Sequence, residues 1–103
     1  MKASLVEKYI PEAWNVYIKQ VEETMKEGAL STKVKELIAI ALSIAVHCEP
    51  CIKVHIRRAA KAGATVEEIA ETLAVTMVLC GGPADVWTRK MFEEEIEKLK
   101  TEA

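Results

Sequence analysis

Residues 37–55 read LIAIALSIAVHCEPCIKVH, and this stretch decides how the chain folds. Its first ten residues are apolar except for Ser43, which predicts a helix that is buried on every side. Ten residues are too few to span a bilayer, so this helix should lie at the centre of a globular core. Ser31 or Thr32 is placed to cap its start, and the break at residues 47–50 should end it.

The segments on both sides of this helix carry helical signals of their own. Apolar residues recur at three-to-four spacing, and no window shows sustained alternation of apolar and polar residues. The predicted elements are a short helical turn over 4–9 and helices from Pro11 to Gly28, from Ser31 or Thr32 to Val46, from the 47–50 break to Ala62, from Thr65 to Cys80 and from Ala84 to Lys100. The fold class is therefore all-α, a compact multi-helix subunit.

The apolar positions of the last two helices predict which of their side chains enter the core. A capping box at Thr65 starts the first of these helices. The side chains expected to point inward are Ile69, Leu73, Met77 and Cys80, followed by Val86, Met91, Ile96 and Leu99. The acidic run at 93–95 should form a solvated helix end, and Arg57, Arg58 and Lys61 a solvated helix face.

The composition is that of a small globular protein. Half of the 103 residues are hydrophobic and 29% are charged, and the net charge of −2 gives no indication of nucleic-acid binding. We expect a single domain over residues 1–103 that buries part of its apolar surface against other copies, as a homo-oligomer. The polar start of the chain, with a charge at Glu7, is unlike a secretory signal, so we expect a cytoplasmic location and no membrane partner.

The strongest chemical signal is the spacing Cys48-x-x-Cys51, with His55 one helical turn further on. Thiols two residues apart can close into a disulfide, and the histidine can take or give the proton that thiol chemistry needs. Disulfides in the cytosol are usually transient and catalytic, and an odd number of cysteines does not indicate a fold held together by structural disulfides. These residues predict a redox-active thiol site that needs no cofactor.

Other chemistries fit these residues less well. A zinc site lacks a second ligand pair, since only Cys80 and His47 remain as soft ligands. Covalent haem attachment needs a histidine directly after the second cysteine, where Ile52 stands. We interpret Cys80 as a small apolar residue of the core, and His47 as a surface turn residue rather than a group that tunes Cys48.

Glu36 is the second informative residue. It stands at the start of the apolar helix, where a carboxylate could simply complement the helix dipole. In an antiparallel hairpin centred on the 47–48 turn, His55 faces Ile40, one turn from Glu36, so a contact is permitted but not required. Such a contact would orient the imidazole for proton transfer. Both interpretations of Glu36, functional and structural, stay open.

Taken together, these residues resemble a known family. The spacing of Glu36, Cys48, Cys51 and His55, followed by AAKAGATVEEI at 59–69, is similar to the carboxymuconolactone decarboxylase family, and specifically to its alkylhydroperoxidase AhpD-like branch. The similarity covers roughly residues 30–87. It implies an all-helical subunit that assembles into trimers or hexamers.

The resemblance also implies a thiol peroxidase or disulfide reductase whose cysteines cycle between dithiol and disulfide. On that basis Cys51 attacks the peroxide, Cys48 resolves the sulfenic acid, and His55 and Glu36 relay protons. The residues alone favour a thiolate at Cys48, nearer the helix N-terminus, so the order of attack stays open. Pro50 stands where the hydroperoxidases of the family carry a histidine, and this proline cannot relay a proton in peroxide turnover. Decarboxylase members lack the cysteine pair, so lactone decarboxylation is not expected.

Two classes of function follow. One is an enzyme with an antioxidant role, which takes a small hydroperoxide as substrate and an external dithiol, a thioredoxin-like protein or a lipoyl group as reductant. The other is a non-enzymatic oligomeric or partner-binding module of the same fold. Because a redox latch needs no proton relay, His55 favours the enzyme.

Overall fold

The computed structural model describes residues 3–102, which form six helices and no strand. The helices are α1 (Leu5–Tyr9), α2 (Pro11–Met25), α3 (Thr32–Ala45), α4 (Glu49–Lys61), α5 (Val66–Cys80) and α6 (Pro83–Glu102). The predicted all-α class is confirmed, including the short helical turn before Pro11. Within these described residues, no helix has the length and apolar character needed to cross a membrane.

Local sequence sets most of the helix ends. The Ser31 hydroxyl accepts a hydrogen bond from the Val34 N–H at 3.1 Å and caps α3. The capping box of α5 is formed, because Glu68 N–H donates to Thr65 Oγ1 at 3.1 Å and Thr65 N–H donates to Glu68 Oε1 at 2.9 Å. After α4, Gly63 adopts φ +100°, a left-handed conformation that glycine reaches easily.

The helix predicted to reach Gly28 ends earlier, at Met25. Two side chains from the start of α3 donate hydrogen bonds to carbonyls at the end of α2, where backbone donors are missing. Thr32 Oγ1 donates to the Met25 carbonyl at 2.7 Å, and Lys35 Nζ donates to the Thr24 carbonyl at 2.7 Å. These contacts satisfy carbonyls that a helix end leaves unpaired and tie α2 to α3.

The core lies where α3 and α4 pack together and are covered by α5 and α6. Its buried apolar residues are Ile40, Ile44, Ile52, Ile56, Ala59, Ile69, Ala84, Met91 and Phe92. Each fully buried isoleucine stabilises the fold by roughly 1.5–3 kcal/mol. Neither α1 nor α2 contributes a buried residue; α2 packs beside α3, and α1 packs on α2.

Helix α3 is buried on one side only within a single chain. Ile40 and Ile44 are buried, whereas Leu42 is 59% exposed and Val46 is 72% exposed. The prediction of burial on every side is therefore wrong for the isolated chain. The uncovered apolar side remains available for contact with another molecule.

The core predictions for two residues near the α5–α6 turn are wrong. Cys80 is an exposed free thiol, and Val86 is 66% exposed. Helix α5 carries apolar residues around most of its circumference, so periodicity alone could not decide which side faces the core. The inward positions Ile69 and Met91 are buried as expected.

Glu95, predicted to lie in a solvated helix end, is fully buried. Arg57 Nε donates to Glu95 Oε1 at 2.6 Å, and Lys98 Nζ donates to Glu95 Oε2 at 3.1 Å. Burial raises the pKa of Glu95, but the hydrogen bonds from Arg57 and Lys98 outweigh it and hold the pKa below its ordinary value. Arg57 is thus part of a bridge between α4 and α6 rather than of a purely solvated face.

We expect Arg57→Met to lower the free energy of unfolding at pH 7 by about 2 kcal/mol, because the buried carboxylate loses its shorter hydrogen bond. The pKa of Glu95 is lowered in the folded protein, so its pairing stabilises the fold above the ordinary carboxyl pKa. That contribution disappears as the pH falls through the folded value. The deficit of the variant should therefore shrink between pH 7 and pH 3, as measured by urea unfolding.

Arg89→Met serves as the matched control, since it removes an arginine from an exposed pair with Asp85. It should leave the unfolding free energy almost unchanged at either pH. A deficit in Arg57→Met that stays constant with pH would contradict the assignment to Glu95.

Candidate active site

The turn between α3 and α4 positions the two cysteines. His47 takes φ 56°, a left-handed conformation that is uncommon for a residue other than glycine. Cys48 N–H then donates to the Ser43 carbonyl at 2.9 Å and closes the turn. As a result Cys48 is the N-cap of α4, and Cys51 lies in the first turn of that helix.

Cys48 and Cys51 are joined by a disulfide, and their Cα atoms are 5.2 Å apart. This separation lies within the range usual for disulfides. Both residues are half-buried, so the pair is reachable from outside the core. Unpaired amides and the positive end of the helix dipole favour a thiolate at this position when the bond is reduced.

The α3–α4 hairpin brings Glu36 and His55 together. His55 Nδ1 lies 2.6 Å from Glu36 Oε1, and Glu36 is only 4% exposed. Because a carboxylate accepts hydrogen bonds, the proton of the neutral ring is held on Nδ1, and Nε2 is left for proton exchange. His55 is one helical turn from Cys51, so the two side chains lie along the same side of α4.

His47 and Cys80 take no part in the Cys48–Cys51 disulfide or in the Glu36–His55 contact. The exposed His47 ring stacks on Trp87, with ring centroids 4.5 Å apart and planes at 9°. His47 and Cys80 both border a small cavity next to Trp87. No signal in the sequence links His47 to a ring on α6. Across residues 3–102, no cluster of three or more His, Cys, Asp or Glu side chains could hold a metal ion.

Two clefts open beside the Glu36–His55 pair. The first, of about 350 Å³, lies between α2, α3 and α4 and reaches His55 and Arg58. The second, of about 300 Å³, is bordered by Glu36, Arg58 and Lys61. Arg58 borders both clefts, which sequence reasoning missed because it treated this residue as part of a solvated face. Only the position of α2 opposite α4 creates the first cleft.

The sequence matches the family model of the carboxymuconolactone decarboxylase family over residues 11–94. It is also similar to an uncharacterized protein of Cupriavidus necator. The two are 34% identical over 80 residues, which are 78% of this chain and 71% of that protein. The matched region includes all four predicted site residues, Glu36, Cys48, Cys51 and His55.

Solved structures share the same fold. A carboxymuconolactone decarboxylase family protein from Legionella pneumophila superposes with a TM-score of 0.80 at 36% identity, over 89% of this chain and 82% of that one. A family member from Thermotoga maritima, for which a part in an antioxidative response has been suggested, gives 0.74 at 26% identity, over 99% and 100%. On sequence and fold together, the chain belongs to the carboxymuconolactone decarboxylase family.

Proposed function

We propose that this protein is a thiol-dependent peroxidase of the AhpD-like branch, with an antioxidant role. The observation that carries the proposal is a bonded cysteine pair at a helix start, one turn from a histidine whose ring is held by a buried carboxylate. A purely structural disulfide would need no such histidine. The antioxidative part suggested for the Thermotoga maritima protein supports the same chemistry.

In the proposed cycle, the Cys51 thiol gives its proton to His55 Nε2 and the thiolate attacks the outer oxygen of a hydroperoxide. The O–O bond breaks, an S–O bond forms, and the leaving alkoxide takes the proton back from His55 to become an alcohol. Cys51 is assigned the attack because it, and not Cys48, is one turn from His55 on the same side of α4. Glu36 acts as a positioning residue through its hydrogen bond to the ring.

The cycle is completed by the second cysteine and an external reductant. The Cys48 thiol attacks the sulfenic sulfur of Cys51, which forms the disulfide and releases water. An external dithiol, of the thioredoxin-like or lipoyl kind, then reduces the disulfide by two electrons and is itself oxidised to a disulfide. Because the cycle depends on a thiol reductant, we propose a cytoplasmic location.

The test is a single oxidation of the fully reduced protein by one equivalent of a small hydroperoxide. We expect one alcohol to be formed per chain and two of the three thiols to become inaccessible to alkylation. Peptide mapping should locate the new bond between Cys48 and Cys51. Cys80→Ser should behave like the wild type, since its thiol takes no part in the cycle. A thiol count that does not change on adding the hydroperoxide would overturn the proposal.

We also propose that the protein is a homo-oligomer, assembled through an apolar face shared by α3 and α5. The two helices run parallel: Lys33 near the start of α3 pairs with Glu68 near the start of α5 at 2.9 Å, and at the other end Ala45 and Cys80 border one cavity. The ends of both helices carry exposed apolar side chains, here called the α3–α5 face: Leu42, Val46, Val75, Val78 and Leu79. An exposed apolar surface of this kind marks an interaction site, and Leu79 is 87% exposed.

Leu79→Glu is expected to shift the protein from oligomer to monomer, because it places a charge where two chains would bury apolar surface. Sedimentation velocity at micromolar concentration measures the change. Lys90→Glu is the control, since it alters an exposed charged position on α6 and should leave the assembly intact. A wild type that sediments as a monomer would refute the assembly.

A further inference from the structure

We infer that the substrate of this site carries a carboxylate that is bound by Arg58. The inference rests on the proposed peroxidase function and names its substrate class, a hydroperoxide whose apolar chain ends in an anionic group. Its basis is the position of one arginine relative to His55 and to the two clefts. No other part of the proposed cycle uses this arginine.

Arg58 lies on the same side of α4 as the reacting groups. Cys51, His55 and Arg58 follow one another at spacings of four and three residues, which form a single stripe on a helix. Within residues 3–102, no carboxylate pairs with Arg58, whereas the neighbouring Arg57 is bound to Glu95. The Arg58 guanidinium therefore retains the planar set of donors that binds a carboxylate through two hydrogen bonds.

The charges around the two clefts favour an anion. Among the described residues that line them, Glu36 alone is acidic, and its carboxylate is already bonded to His55. Lys61 adds a second positive charge at the border of the second cleft. An anion that approaches Arg58 is thus attracted by Arg58 and Lys61, while the Glu36 carboxylate is already hydrogen-bonded to His55.

The opposite wall of the first cleft suits an apolar chain. Its apolar part is formed by Tyr17, Val21 and Met25 of α2 and by Ala39 of α3, and the polar Gln20 and Thr24 also line it. A substrate with its carboxylate at Arg58 can lay its hydrocarbon against this wall while the other end points along α4 towards Cys51. The cleft therefore combines an apolar surface with one fixed cation, which is the usual composition of a small-molecule site.

The helix also sets a distance between the two ends of the substrate. Arg58 follows Cys51 by seven residues, which is about 10 Å along the axis of α4. An extended chain covers roughly 3.5 Å for every three bonds, so about nine bonds should separate the carboxyl carbon from the attacked oxygen. A 9-hydroperoxy fatty acid, with ten bonds between the carboxyl carbon and the outer oxygen, comes close to this length. Its reduction gives the 9-hydroxy acid and one disulfide, and the carboxylate is unchanged.

The experiment compares 9-hydroperoxyoctadecadienoic acid with its methyl ester, each below its micelle concentration. The rate constant for oxidation of the reduced protein should be higher for the acid by about tenfold or more in the wild type. In Arg58→Gln the preference should disappear, because the acid loses the guanidinium that binds its carboxylate and the ester has no carboxylate to lose. Arg89→Gln, which removes an exposed arginine on α6, should keep the preference for the acid.

Equal rates with acid and ester in the wild type, or a preference that persists in Arg58→Gln, would overturn the inference. If neither compound oxidises a wild-type protein that reacts with the small hydroperoxide of the earlier test, the inference is overturned; if the small hydroperoxide does not react either, the proposed peroxidase function fails instead. Arg58 is then tested by calorimetry with the unreactive 9-hydroxy acid and its methyl ester. Binding of the acid that is lost in Arg58→Gln supports the anion site, and equal or absent binding in both proteins refutes it.

Discussion

Cys51→Ser should abolish hydroperoxide reduction, with a rate loss of at least about a thousandfold, because a serine hydroxyl is a poor nucleophile at neutral pH. Cys48→Ser should behave differently. Its Cys51 thiolate can still attack once, so one equivalent of hydroperoxide is consumed before the reaction stops at the sulfenic acid. Peroxide consumption by the two variants, followed over time, measures this difference.

Trapping the sulfenic acid with dimedone identifies the attacking cysteine in these experiments. The adduct is expected on Cys51 in the Cys48→Ser protein, and no adduct is expected in Cys51→Ser. Cys48 is the N-cap of α4, where the helix N-terminus also favours a thiolate. A dimedone adduct on Cys48 together with an inactive Cys48→Ser variant would therefore reverse the assigned roles. Both variants belong in a Cys80→Ser background, because that exposed thiol could otherwise react with the probe.

Much of the fold follows from local sequence signals. Caps such as Ser31 and Thr65 act within one turn of their helix, so the starts of α3 and α5 could be predicted from neighbouring residues alone. The faces of the helices were harder to predict. Helix α5 is apolar on more than one side, and Glu95 lies in an acidic run yet is buried with Arg57 and Lys98. Both outcomes depend on how distant helices pack.

In the candidate site, too, some features follow from local sequence and others depend on how the helices pack. Cys48 and Cys51 could be paired from their spacing, because the start of a helix brings such residues within bonding distance. The contact between Glu36 and His55 depends on the register of the α3–α4 hairpin, and that register is set by the backbone conformation at the turn. The cleft at Arg58 depends on the position of α2, which no motif in the sequence encodes.

His55→Ala should slow oxidation of the reduced pair by about a hundredfold or more, because it removes the group that takes and returns the proton. Glu36→Gln should have a smaller effect, about tenfold, since the amide oxygen can still accept a hydrogen bond from Nδ1–H. Glutamine keeps the shape of the buried side chain and removes its negative charge. The oxidation rate should therefore decrease in the order wild type, Glu36→Gln, His55→Ala.

The pH dependence of alkylation by iodoacetamide separates this role from a structural one. The rate profile of the pair should move to higher pH in His55→Ala and move less in Glu36→Gln, because each change weakens support for the thiolate. His47→Ala is the matched control: that residue is next to Cys48 in sequence, but its ring stacks on Trp87, so its profile should match the wild type. Circular dichroism and urea unfolding would show that each variant is folded. Unchanged profiles in folded His55→Ala and Glu36→Gln would mean that the 2.6 Å contact only joins α3 to α4, and the interpretation as a non-enzymatic module would then replace the peroxidase.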